Sequence, residues 1–347
     1  MSYRIAILNE SSISDLFRTD GISFGTQMLT EKWKNKHYNN PAGESCIFGA
    51  FDGDRLVGIN SFLKIEFVYK GMTIKAVESG DSAVDPEYRR KGIFSQLIRY
   101  AENYLRNAGY DVIIGFPNTE NAYPGFLKLG WLDLCHVKNE LIIVDLKKFI
   151  NDIYGINVPI LFNLIPKIMC LGTVLRAKRE KSIKLSLSKS VPFDSFESFA
   201  KGEYISQNIS KRTIDWKFSS DTFVYYNVRN ANDEVIASFV FGRYKLRGKF
   251  DTLTLVHNFN NTTNEKEFVN AYSFVIHDIL KKNSCTLIRK WKTKDNLEIR
   301  ADKKCGFLTI KKCNPFIVNI LTEDEEKKKL LADANNWNPM MIDLDVA

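Results

Sequence analysis

At 347 residues the chain is long enough for two domains of ordinary size, and its 44% hydrophobic and 26% charged residues are those of a soluble globular protein. The net charge of +8 favours anionic partners. The basic residues are spread along the chain without a nucleic-acid-binding motif, which excludes nucleic acid in favour of small polyphosphate ligands.

The opening "MSYRIAILNESS" is too polar for a signal segment and begins like a strand. Cys46, Cys135, Cys170, Cys285, Cys305 and Cys313 show neither pairing nor ligand spacing, so reduced thiols and a cytoplasmic location are expected. His37, His136, His257 and His277 form no His/Cys cluster, and no metal site is expected. "SCIFGAFD" and "RLVGINSFLKIEFVY" read as strands around the turn Asp52-Gly53-Asp54. "TIKAVESGDSAV" is a further strand. From Gly92 to Ala108 the apolar positions follow the helical period, and Gly109 stands where a C-terminal cap belongs. "YDVIIGF" then reads as a central buried strand, which completes a βαβ unit with its ligand edge at the strands' C-terminal ends.

"INVPILFNLIPKIMCLGTVL" is apolar and "RAKREKSIK" after it is basic. Pro159, Asn163, Pro166 and Lys167 within the run argue against a transmembrane span, and predict a Pro-broken helical connector packed between domains. A membrane-surface contact and packing across a homodimer are the alternative uses of this run. Strand patterns resume near Val191. "IDWKFSSD" before "FVYYNVRNANDEVIASFVFGRY" echoes "EKWKNKHYNN" before "CIFGAFDGDRLVGINSFLKI", and "KCGF" (304–307) echoes "KLGW" (128–131). The second half has no counterpart of "RRKGIF". A tandem duplication in which one copy kept that turn is expected, over 1–145 and 191–347 with a connector at 146–190.

The turn Arg89-Arg90-Lys91-Gly92-Ile93-Phe94 leads straight into a helix. The first N–H groups of a helix have no intrahelical partner, and its dipole is positive there. Gly92 lets backbone approach a ligand, so the turn reads as an anion site of pyrophosphate type. Walker and dinucleotide fingerprints need glycines that are absent.

"VDPEYRRKGIF" resembles the acetyl-CoA-binding motif of the GNAT acyltransferase superfamily, Arg/Gln-x-x-Gly-x-Gly/Ala, with Phe94 departing at the last position. "NTENAYPGFLKLGW" is similar to the family's second motif. The resemblance is carried by residues 76–135. It implies an α/β GNAT fold, a mixed central sheet with flanking helices, in tandem with a degenerate second copy. It also implies acetyl-CoA as co-substrate. The N–H groups of Arg90, Lys91, Gly92, Ile93, Phe94 and Ser95 would cradle the pyrophosphate beside Arg89. The edge Ser82-Ala83-Val84 would pair with the pantetheine arm. Asn118, with Asn121 after it, would sit where the central strands splay.

Acetyl transfer to an amine needs a base, a polarised carbonyl and a leaving thiolate. Asp81 is the preferred base and Glu78 the second. Their odd spacing sets them on opposite faces of a regular strand unless a bulge intervenes. The family's frequent acid, a Tyr two residues before the Lys of "KLG", is Phe126 here, which leaves Tyr123 as a substitute. Direct attack in a ternary complex is expected, with Cys135 beside His136 as the rival nucleophile. The length and "WKNKHYNNPAGES" resemble acyltransferases of amino sugars, often nucleotide-linked, in surface polysaccharide pathways. Trp33, Lys34, His37, Tyr38, Trp216 and Lys217 are candidates for the acceptor side. The alternatives are an aminoglycoside- or peptide-directed acetyltransferase, a Fem-type aminoacyl ligase, and a non-catalytic CoA-binding protein.

Overall fold

The computed structural model describes residues 3–9, 31–118, 122–180, 183–188, 190–195 and 203–343. Its strands are β1 (Arg4–Leu8), β2 (Cys46–Asp52), β3 (Arg55–Tyr69), β4 (Met72–Val84), β5 (Val112–Gly115), β6 (Leu132–Ile143), β7 (Lys184–Ser188), β8 (Ser206–Gln207), β9 (Phe223–Arg229), β10 (Val235–Leu246), β11 (Phe250–Asn260), β12 (Leu287–Trp291) and β13 (Leu308–Ile320). The helices are α1 (Glu31–Tyr38), α2 (Ile93–Asn107), α3 (Ala122–Lys128), α4 (Leu146–Tyr154), α5 (Leu164–Met169), α6 (Leu171–Arg179), α7 (Lys211–Lys217), α8 (Glu265–Lys282), α9 (Asn296–Cys305) and α10 (Glu325–Ala332).

All strands join one mixed sheet in the order β1-β2-β3-β4-β5-β13-β6-β12-β11-β10-β9-β7, with β8 added on β3. The order is symmetric about the β13–β6 pair. On one side β4 runs parallel to β5, which is antiparallel to β13. On the other β11 runs parallel to β12, which is antiparallel to β6. The two halves therefore exchange strands: β13, from the end of the chain, fills the place beside β5, and β6 fills the place beside β12.

The sequence echoes map onto this symmetry. α1 and α7 carry the Trp-Lys pairs and precede the hairpins β2–β3 and β9–β10. α3 and α9 lead into "KLGW" and "KCGF", where Gly130 and Gly306 adopt φ of +90° and +91°. That is the left-handed conformation that ends a helix and that a side chain disfavours. The segment 146–190 holds α4 to α6 and also β7, which forms the far edge of the sheet by pairing with β9.

On the first half's α2 face, Ile93, Leu97, Ile98, Ala101 and Leu105 pack on Val57, Phe62, Val77, Ile113 and Ile317. The opposite face is continuous across both halves, running from Ile65 and Ala76 through Ile114 and Phe316 to Val240 and Val256. Ile317 belongs to β13, so the core beneath α2 contains a residue from the chain's far end.

A fragment of residues 1–145 lacks β13 and leaves β5 with one paired edge. It is expected to show no cooperative thermal transition by circular dichroism, and co-expression with residues 146–347 is expected to restore one.

Candidate active site

β4 pairs with β3 along its whole length but with β5 only at Ala76, Val77 and Glu78, opposite Val112, Ile113 and Ile114. Beyond Glu78 the two parallel strands part. The β5-side edge of Ser79–Val84 has no strand partner among the described residues. An unpaired edge of this kind accepts an extended ligand by main-chain hydrogen bonding.

A bulge lies at the parting. Ser61 pairs with Gly80 and Ile59 with Ala83, so Asp81 and Ser82 together oppose Asn60. Asp81 has φ of +45°, a conformation Asp tolerates better than most residues. Asn60, fully buried, clamps the bulge: its Nδ2 donates to Ser82 Oγ at 2.6 Å, and Ser61 Oγ donates to Gly80 O at 3.0 Å. The bulge undoes the alternation expected of a regular strand. Glu78 shares the parity of Ala76, on the face opposite α2, and Asp81 reaches α1, which packs through Trp33 on that same face.

Asp81 Oδ2 accepts three hydrogen bonds, from Trp33 Nε1 (3.1 Å), Lys36 Nζ (2.7 Å) and His37 Nε2 (2.7 Å). The other ring nitrogen of His37 meets Ser45 Oγ at 2.9 Å. Burial alone would raise Asp81. The hydrogen bond from His37 and the charge of Lys36 outweigh it and hold the carboxyl well below the ordinary range. A carboxylate held so low is a weak proton acceptor. Lys36, absent from the candidates read in the sequence, was findable there: Trp33, Lys36 and His37 stand at i, i+3 and i+4 on one helical face. Trp33 and His37, expected at the acceptor side, are 6% and 0% exposed and face Asp81. Trp216 of α7 donates to Asn35 O at 2.9 Å and ties α7 to α1.

Glu78 is 3% exposed and sits at the last paired position of β4 and β5, at the apex of the parting. Tyr123 O–H donates to Asp133 Oδ2 at 2.5 Å. That bond, more than burial, pushes its hydroxyl up to about 12. Asp133 Oδ2 also contacts His136 Nε2 at 2.9 Å, and His136 Nδ1 meets Cys313 Sγ at 3.4 Å. The thiol beside His136 is thus Cys313 of β13 and not its sequence neighbour Cys135. Phe126 is buried between Phe94, with ring centroids 5.0 Å apart, and Trp131, at 4.5 Å.

The turn after β4 is anchored before it reaches α2. Asp85 N–H donates to Val57 O, Asp85 Oδ1 accepts from Glu87 N–H, and Arg55 pairs with Asp85 at 2.9 Å. Arg89 Nε donates to Val84 O at 3.2 Å. Arg90 and Gly92 have φ of +63° and +80°. α2 has no side-chain cap and no acidic residue in its first turn. The first backbone bond into the helix is Gln96 N–H to Gly92 O, and the N–H groups of residues 90–95 find no backbone acceptor among the described residues. Gly58 permits this placement, because a Cβ there would lie 2.6 Å from Ile93 Cγ2. Phe94, large where the family motif is small, is accommodated by Gly125, whose missing Cβ would come within 3.1 Å of its ring. Asn118 follows β5, and its Oδ1 accepts from Ala122 N–H at 3.3 Å at the start of α3. Asn121 lies outside the described residues.

The second half carries the same parting without the same chemistry. β11 pairs with β12 only at Thr252, Leu253 and Thr254, which places Thr254 where the first half has Glu78. A bulge follows there too, between the Phe241–Leu255 and Val240–His257 pairs. Pro339, Met340 and Met341 fill the opening, leaving about 10 Å³. Beneath them the buried Lys290 Nζ contacts Glu298 Oε1 at 2.6 Å and Asp302 Oδ2 at 2.7 Å. α8 is capped by Asn264, which accepts from Lys266 and Glu267 N–H, and it begins with Glu265 and Glu267. An anion would meet occupied donors and negative charge. A groove of about 480 Å³ lined by Lys64, Lys75, Tyr110 and Asn208 lies at the start of β4, away from the turn.

Asp81 has its folded-state pKa below its unfolded value, so its stabilisation is present above about pH 4 and is lost as pH falls further. Asp81→Asn is expected to lower the melting temperature at neutral pH. The gap from wild type should narrow between about pH 4 and pH 3 in circular-dichroism melts.

Residues 4–132 match the family model described as an acetyltransferase (GNAT) domain. No curated protein matches the sequence. Among solved structures, a conserved protein from Enterococcus faecalis V583 described as a probable N-acyltransferase aligns with a TM-score of 0.60 at 11% identity, over 92% of this chain and 73% of that one. N-myristoyltransferase of Saccharomyces cerevisiae with bound myristoyl-CoA aligns at 0.59 and 12% identity, over 91% and 82%. Eis1 of Mycobacterium abscessus aligns at 0.55 and 13%, over 96% and 76%. The fold is therefore the GNAT fold in an arrangement that fits a tandem, with a GNAT acetyltransferase domain matched over residues 4–132.

Proposed function

We propose that the chain is an acyl-CoA-dependent N-acyltransferase that moves an acetyl group from acetyl-CoA to a primary amine. One observation carries this reading: β4 and β5 part directly after Glu78, and the free edge of β4 leads into the uncapped N-terminus of α2. The thioester arm would lie along Ser82, Ala83 and Val84, and the pyrophosphate would meet the N–H groups of residues 90–95 beside Arg89, Arg90 and Lys91.

Glu78 is the proposed base. The environments of the two carboxylates favour it over Asp81, whose oxygen already accepts from Trp33, Lys36 and His37. The amine loses its proton to Glu78 directly or through one water, attacks the thioester carbonyl, and the tetrahedral intermediate expels the CoA thiolate. Tyr123 is a poor proton donor in this setting, because Asp133 holds its proton. A thiolate, with a conjugate pKa of about 8.5, leaves without a strong acid. The acceptor proposed is an amino sugar, nucleotide-linked, in a surface polysaccharide pathway. A second anionic ligand suits a protein of charge +8.

Purified chain would be incubated with acetyl-CoA and nucleotide-linked amino sugars, a lysine peptide and an aminoglycoside, with free CoA followed by a thiol reagent. Turnover is expected on an amino sugar. Glu78→Gln should reduce kcat by a factor on the order of 10²–10⁴ with acetyl-CoA affinity unchanged. Gly92→Val, which places a β-branched residue at φ of +80°, should raise KM for acetyl-CoA about tenfold and spare the acceptor KM. Turnover confined to the peptide or the aminoglycoside would reject the sugar acceptor, and failure to bind acetyl-CoA would reject the site.

A further inference from the structure

The segment that joins the halves is apolar on two sides, and only one of them is covered. Pro166, Cys170, Thr173 and Ala177, spaced four, three and four apart, face inward and are buried. Thr173 Oγ1 donates to Lys304 O at 3.2 Å, and Arg176 Nε donates to Ser273 Oγ at 3.1 Å. The preceding turn is fixed as well: Asn163 Oδ1 accepts from Lys147 N–H at 2.8 Å, and Asn163 Nδ2 donates to Asp145 Oδ1 at 3.0 Å. The opposite side is bare. Ile160 is 72% exposed, Leu161 and Tyr154 69%, and Ile168 66%, with Met169 and Leu171 beside them. None of the nine residues of α4 is buried. A contiguous patch of this kind on an anchored scaffold marks a docking surface.

We propose that this surface seats on an anionic phospholipid bilayer, lying in its interface without crossing it. Among the described residues no single helix is long and apolar enough to cross, and the run bends by 71° between Met169 and Leu171. From Ile153 to Leu175 the only charged residue is Lys167, and exposed Lys178 and Arg179 follow on α6. An apolar face with a cationic rim is the composition of an interfacial helix, whose long basic side chains reach the headgroups. The rim also disfavours a second copy of the chain. A two-fold contact sets the same patch against itself and gathers the Lys167, Lys178 and Arg179 of both copies around one interface. None of the residues of this surface lies at the β4–β5 parting, so bilayer binding stands apart from acyl transfer.

The test is co-sedimentation of the full chain with vesicles of phosphatidylcholine alone, and with about one third phosphatidylglycerol. Binding is expected to the anionic vesicles, and about tenfold weaker binding to the neutral ones. Ile160→Asp with Leu161→Asp should cut binding at least about tenfold while the melting temperature stays unchanged, because both residues are exposed. Lys178→Glu with Arg179→Glu should abolish the preference for anionic lipid. No sedimentation with either vesicle would overturn the proposal, as would indifference to the Asp pair. A wild-type dimer by light scattering that the Asp pair splits would assign the surface to a second copy, and overturn it too.

Discussion

Strand β5 has four residues, and the site depends on how they are held. On one edge β5 makes three pairs to β4; on the other it makes four to β13. If β5 were secured by β4 alone, its separation from β4 beyond Glu78 would leave it without anchorage, since a short strand gains its stability from its neighbours. β13 supplies that anchorage, and it comes from the last tenth or so of the chain. The opening between β4 and β5 in the first half is thus kept open by the second half. The same exchange places Ile317 beneath α2 and Cys313 beside His136.

The second half shows what the opening becomes without the charged turn. Its β11–β12 parting and its bulge persist, so the backbone geometry belongs to the fold and not to the chemistry. What differs is side-chain content. Thr254 replaces the carboxylate, Asn264 occupies the helix donors, and the tail residues Pro339 to Met341 pack into the gap. The buried Lys290 lies between Glu298 and Asp302, where burial drives Asp302 up to about 8. Such a network locks the opening shut, because removing Lys290 would leave two buried carboxyl groups without their shared cation.

The parts of this arrangement legible in the sequence were the local ones. Arg89 to Phe94 could be read because a turn, a glycine and a helix start are adjacent in the chain, and each has its own signature. The echo of "KLGW" in "KCGF" was legible for the same reason, and both glycines cap helices. The strand exchange was not, since nothing in the residues of β13 distinguishes a partner 200 positions away from a nearer one. The bulge at Asp81 could be named only as the alternative to a regular strand. An Asp in the left-handed conformation leaves no periodic trace, and without the bulge Glu78 and Asp81 fall on opposite faces. The ion pairing of Asp81 was hidden too, because its partners sit about 45 residues upstream on a helix whose packing no local pattern specifies.

The pairing with α1 explains why an aspartate stands at the bulge. The left-handed conformation there tolerates Gly, Asn or Asp, and of these Asp alone brings a negative charge. Lys36 and His37 of α1 are 7% and 0% exposed, and each needs a partner if α1 is to pack against the sheet. Asp81 supplies one oxygen to both, and to Trp33, so the bulge that brings Asp81 and Glu78 to one face also fastens α1 across it. Asparagine at this position would keep the backbone and lose the charge, leaving Lys36 buried beside a neutral amide. The two carboxylates thus differ by environment: Asp81 is tied to α1 through Trp33, Lys36 and His37, and Glu78 stands buried where β4 and β5 part.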